Sequence, residues 1–113
     1  MRNVNDELKE YNCSDNYYKY GFGMVITDGV KELCDRFQCF WFVDVVCSYQ
    51  SSLGAEEFQS WKLLKNPDSS ALVTCDNGNG KILKSQRIPW TDFDADVANV
   101  WCEGNVILLP NEH

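Results

Sequence analysis

The stretch Cys39–Gln50, Cys-Phe-Trp-Phe-Val-Asp-Val-Val-Cys-Ser-Tyr-Gln, constrains the fold of this chain more than any other. It is the most apolar run, and it carries one carboxylate, Asp44, near its centre. A charge in such a run must be paired, hydrogen-bonded or neutralised, because burying it bare is very costly. Asp44 is therefore read as either a structural anchor or part of a site. Aromatic and β-branched residues favour a strand here. The length of the run and its apolarity on all sides favour a buried helix. We read it as a helix, which puts Asp44 and Ser48 on one face, four residues apart. In a buried helix facing a sheet, the Asp44 oxygens are expected to be satisfied by Ser48, an indole or loop backbone.

The remaining apolar material is enough for a real core. The chain has 113 residues, of which 44% are apolar, 13% aromatic and 24% charged. This is a globular composition, and one domain spanning 1–113 is expected, with a helical part at about 3–53 and a sheet part at about 57–110. The longest apolar runs, 39–47 and 106–109, fall far short of the roughly 20 residues a membrane span needs. The first residues, Met1 to Glu7, carry no apolar signal region, so a cytoplasmic location is expected. Six cysteines, Cys13, Cys34, Cys39, Cys47, Cys75 and Cys102, show no C-x-x-C spacing. They read as buried reduced thiols rather than a disulfide framework or a zinc site.

Local signals divide the chain. Val4, Leu8 and Tyr11 are spaced as one helical face, which predicts a short helix over residues 3–11. Residues 12–23 read as a loop rich in aromatics. Thr27 is a good N-cap and Asp28 suits the first turn of a helix that follows. Val30, Leu33, Cys34 and Phe37 fall on one face of it, and Asp28, Glu32 and Asp35 on the other. Strands are predicted at Phe58–Leu64, Leu72–Cys75, Ile82–Pro89, Val97–Cys102 and Val106–Leu109. A hairpin turn is expected at 76–80, and a loop at 91–96. The expected fold class is α+β: two or three N-terminal helices on one face of a C-terminal antiparallel meander of about five strands.

Chemistry is harder to find. The single histidine, His113, is the last residue, a poor place for a held and oriented catalytic base. Gly78-Asn79-Gly80-Lys81 lacks the length of a phosphate loop and suits a hairpin turn. Asp76-Asn77-Gly78 does not fit a calcium loop. No metal ligands and no cofactor are expected. For an enzyme, Asp44 would serve as general acid or base with Tyr49 and Asp92 as helpers, although none stands at a diagnostic spacing. Tyr49, Gln50, Gln59, Trp61 and Trp90 read as the core and rim of the sheet, or alternatively as a ligand pocket.

Seventeen acidic against ten basic residues give a net charge of −7. This argues against direct contact with nucleic acid or with an anionic membrane. It suits a protein partner with a basic surface, including a nucleic-acid-binding protein. The expected partner-binding residues are Asp28, Glu32 and Asp35 on the second helix, and Asp92, Asp94 and Asp96 in the loop.

Thr27-Asp28-Gly29, then Trp41, Asp44 and Ser48-Tyr49-Gln50, Phe58-Gln59-Ser60-Trp61-Lys62, Thr91-Asp92-Phe93 and Leu108-Leu109-Pro110-Asn111-Glu112-His113 occur in this order. At these residues the chain resembles a family of small uncharacterised bacterial, plasmid and phage proteins. The resemblance covers about residues 20–113 and implies a chain plan and a mobile-element context, with no assigned mechanism. It also implies that Pro110–His113 is more than a tail. The expected function is therefore a small acidic binding protein, an inhibitor or regulator of a host protein, with anti-defence proteins such as anti-CRISPRs within that class. The alternatives are a small-molecule-binding or homo-oligomeric structural module, and a carboxylate enzyme built on Asp44.

Overall fold

The computed structural model describes residues 2–11, 16–54 and 56–113. Its elements run α1 (Val4–Glu7), β1 (Tyr17–Gly21), β2 (Met24–Thr27), α2 (Asp28–Phe37), α3 (Phe40–Ser48), β3 (Phe58–Lys65), β4 (Ala71–Asp76), β5 (Ile82–Ile88), β6 (Val97–Glu103) and β7 (Val106–Leu108), closed by a 3-10 turn at Pro110–Glu112. The described strands form one sheet in the order β1-β2-β7-β6-β3-β4-β5. β2 and β7 are parallel and the other neighbours antiparallel.

This corrects the expected antiparallel meander of about five strands: the sheet has seven strands and is mixed, and two departures produce it. First, residues 17–27 form a hairpin before the main helices, within the stretch read as loop and helix. Tyr17, Tyr18 and Tyr20 are strand formers, and Gly21-Phe22-Gly23, all at positive φ, makes the turn. Second, β6 does not follow β5 as its neighbour but crosses over to pair with β3, from Phe58↔Glu103 to Leu64↔Val97. β6 buries Val97, Ala98, Val100 and Cys102, so it gains most from a central place. β5, with Lys84 and Arg87 and no fully buried residue, is left at the edge, where charged side chains discourage pairing with another chain.

The helices form as their sequences dictate. In α2, the Thr27 side chain accepts from Val30 N, and the helix stops at Gln38, which is left-handed at φ 60. α3 begins two residues later. Its buried stripe is Phe42, Val43, Val46 and Cys47. Together with Val30, Leu33, Cys34 and Phe37 of α2, it packs into a core with Trp61, Leu63, Val73, Cys75, Ala98, Val100, Cys102 and Ile107 from the sheet. Burying each large apolar side chain of this set contributes roughly 1.5–3 kcal/mol.

α1 is only four residues long, shorter than the helix expected over 3–11, and fills a gap in the sheet. Beyond the end of β7, the Asn5 side chain bonds both Asn99 N and Asn99 O of β6, at 2.7 and 2.9 Å. Asp96 N and Val97 N donate to Arg2 O. The N-terminal segment thus satisfies backbone groups that no strand reaches, while Val4 and Leu8 enter the core.

Candidate functional site

The separated sequence motifs meet in three places. The first is the N-terminus of α2. There the Glu112 carboxylate accepts from Thr27 Oγ1 at 2.6 Å, Leu109 N at 2.9 Å and Gly29 N at 3.1 Å. A β-carbon on Gly29 would stand 2.6 Å from Leu109 Cδ1 and 2.7 Å from Glu112 Oε1, so a larger residue there would force those side chains to move. The next residue, His113, is also held. Its ring lies edge-on to Trp101, which packs against Phe58 in the same manner. His113 Nε2 is 2.7 Å from Glu103 Oε1, an oxygen shut off from solvent. The last residue thus has a ring contact and a carboxylate contact.

The second place joins α3 to β3. Gln50 and Gln59 exchange amide hydrogen bonds of 2.8 and 3.0 Å, and Trp61 Nε1 donates to Gln59 Oε1 at 2.9 Å. Gln59 is 2% exposed. The Tyr49 hydroxyl donates to Gln86 Oε1, and its ring packs on Trp61. Tyr49, Gln50, Gln59 and Trp61 therefore form a polar bridge through the core, and they line none of the clefts described below.

The third place is the loop after β5. Thr91 N donates to Ser69 O, and Thr91 Oγ1 accepts from Phe93 N. Phe93 is buried against Phe37, and Asp94 N donates to Phe37 O. Thr91 and Phe93 are buried and Trp90 and Asp92 exposed, an alternation that puts the last two on one side of an anchored segment.

Asp44 departs from expectation. It is exposed, on the outward face of α3 with Phe40 and Ser48. Its carboxylate accepts from the Tyr20 hydroxyl at 2.7 Å, and Ser48 Oγ donates instead to Val45 O. Tyr20 also stacks on Phe40, so this pair ties β1 to α3. Burial and the Asp44 carboxylate push the Tyr20 phenol well above its ordinary range. Asp44 bonds Tyr20 and Tyr49 bonds Gln86, while Asp92 lines a cleft with Trp90 that neither of them lines.

Of the acidic residues, Asp28, Glu32 and Asp35 line one shallow cleft with Tyr11, Tyr18 and Lys31, about 330 Å³ in volume. Within it, the Tyr18 hydroxyl donates to Asp28 and Lys31 pairs with Asp35, while Arg36, outside the cleft, pairs with Glu32. Asp94 and Asp96 lie beyond the C-terminal end of α2, close to Arg2. Arg2 N donates to Asp96 Oδ2, its guanidinium donates to Asp94 O, and it also lies over the Phe37 ring.

A separate cleft of about 410 Å³ was not anticipated as a unit. It is lined by Trp41, Val45, Ile88, Trp90, Thr91 and Asp92, and Trp90 is 67% exposed. The signal available in the sequence was the alternation at 90–93, with an aromatic residue on the outward side.

Five described cysteines, Cys34, Cys39, Cys47, Cys75 and Cys102, are buried free thiols, and Cys13 lies outside the described residues. Among the described residues no group of histidine, cysteine or carboxylate side chains is placed to hold a metal. No described helix is long and apolar enough to cross a membrane.

These features define a two-layer α+β domain, with α2 and α3 over one face of a mixed sheet and the C-terminus locked onto the start of α2. The chain belongs to the Family of unknown function (DUF6876), whose model matches residues 2–113. No curated protein and no solved structure gives a match.

Proposed function

We propose that this domain is a binding protein that docks a basic surface on another protein, in the manner of a mobile-element inhibitor or regulator. The observation that carries this reading is the clustering of Asp28, Glu32 and Asp35 with Tyr11 and Tyr18 around one cleft on α2. Tyrosine and carboxylate side chains together offer flat apolar area and a charge that steers a basic partner. The net charge of −7 extends the attraction over the whole molecule. The Asp92–Asp96 loop continues the acidic character beyond Phe37, where it is bonded to the end of α2.

The test is affinity capture from a lysate of the source cells, with wild type compared against Glu32→Lys/Asp35→Lys. Wild type is expected to retain one stoichiometric basic protein, and the charge-reversed variant to lose it while keeping its circular-dichroism spectrum. The reading is overturned by the absence of a stoichiometric partner, or by a partner that the variant keeps.

A further inference from the structure

The cleft between α3 and the end of β5 combines five features that a merely structural surface does not require. Trp90 is the most exposed of the four tryptophans, at 67%, yet it is not on a loose loop tip. Thr91 and Phe93 on its C-terminal side are buried and hydrogen-bonded, which fixes the segment. Asp92 projects on the same side as Trp90 and lines the same cleft. No lysine, arginine or histidine lines it, so the carboxylate meets no cation from the cleft wall. Finally, Trp41 Nε1 is shut off from solvent with no hydrogen-bond partner among the described residues. Unpaired buried polar atoms are few in a folded chain, and each calls for an explanation.

We propose that this cleft binds an arginine side chain presented by a partner chain. The guanidinium stacks on the Trp90 indole and pairs with the Asp92 carboxylate. Its aliphatic stem lies along Trp41, Val45 and Ile88. The occupant is chosen by charge and shape together. A carboxylate without a cation beside an exposed indole face attracts a cation. A planar guanidinium can stack on that face and also form forked hydrogen bonds to a carboxylate, which an ammonium cannot do. The cleft, about 410 Å³, has room for one long side chain. The site deepens the binding-protein reading and rests on it only for the source of the arginine.

The experiment is a titration of the folded protein with acetyl-Gly-Arg-Gly-amide, followed by the indole N–H resonances of all four tryptophans. Saturable shifts confined to Trp41 and Trp90 are expected. Trp90→Ala and Asp92→Asn should each weaken binding about tenfold, as should replacing arginine in the peptide by citrulline, which keeps the shape and removes the charge. The proposal is overturned by shifts that do not saturate, by equal binding of the citrulline peptide, or by unchanged binding to Asp92→Asn. Glu32→Lys/Asp35→Lys should bind the peptide like wild type. A lost partner with retained peptide binding therefore reports on the α2 face, and lost peptide binding reports on this cleft.

Discussion

The Glu112 carboxylate and the Gly29 backbone N–H are 3.1 Å apart, although 83 residues separate them. The contact makes the C-terminal residues part of the helix cap. Thr27 caps Val30 N, while Glu112 covers Gly29 N and holds the Thr27 hydroxyl. A carboxylate at this end also meets the positive end of the helix dipole. Glu112→Ala is expected to cost about 1–3 kcal/mol, because three donors lose their acceptor. Gly29→Ala should cost at least as much, since its β-carbon would overlap Leu109 and Glu112. Urea unfolding of the two variants measures both effects. Wild-type stability in Glu112→Ala would show that the cap is dispensable.

The Gln50–Gln59 pair carries a second expectation. Gln59 is 2% exposed and its Oε1 accepts from both Gln50 and Trp61. Gln59→Ala removes the acceptor and leaves the Trp61 N–H and the Gln50 amide without their partner, a loss of about 1–3 kcal/mol. Trp61→Phe removes the donor itself and should cost less per lost bond. A double-mutant cycle between positions 50 and 59 should show a coupling of about 0.5–3 kcal/mol. Additive losses would mean that the two amides act independently.

Local patterns in the sequence account for α2 and for most strand positions, and they fail where placement is non-local. The α2 face of Val30, Leu33, Cys34 and Phe37 follows directly from a 3.6-residue period, and those residues are buried. The crossing of β6 to β3 has no local signature, because it depends on how the apolar inward face of β6, with Ala98, Val100 and Cys102, compares with those of the other strands. The hairpin at 17–27 was hidden by Gly21 and Gly23, which read as loop residues, although Tyr18 and Tyr20 alternate with Tyr17 and Lys19. The misplacement of Asp44 has a simpler cause. Overall apolarity of 39–50 suggested burial on every side, but the same helical period puts Phe42, Val43, Val46 and Cys47 inside and Phe40, Asp44 and Ser48 outside.

That correction changes the expected effect of Asp44→Ala. A buried aspartate would be worth about 1–3 kcal/mol through the groups it leaves unpaired. An exposed one bonded to the Tyr20 hydroxyl is worth about 1 kcal/mol or less, as is usual for a single hydrogen bond near water. Tyr20→Phe should show a similar loss, and the double variant little more than either single one. Chemical denaturation of the three variants decides the matter. A loss of several kcal/mol in Asp44→Ala would restore the buried-anchor reading.

The buried thiols make the fold sensitive to alkali. Burial pushes Cys47 up from 9.0 to about 11, and Cys75 and Cys102 from 9.0 to about 12. In the unfolded chain these thiols lose their protons near their ordinary value. Between that value and the raised one, the folded protein holds more protons than the unfolded chain, so stability falls as pH rises. The stabilisation is fully present below about pH 9 and is lost progressively towards about pH 12. The raised Tyr20 phenol adds to the loss from a higher starting point. Urea midpoints under reducing conditions should agree at about pH 7 and 8 and drop by about pH 10. Cys102→Ala should be less stable throughout, because it leaves a small cavity, but its midpoint should fall less steeply above pH 9. A wild-type midpoint that stays flat to about pH 10.5 would mean that these thiols ionise in the folded protein as readily as in the unfolded chain.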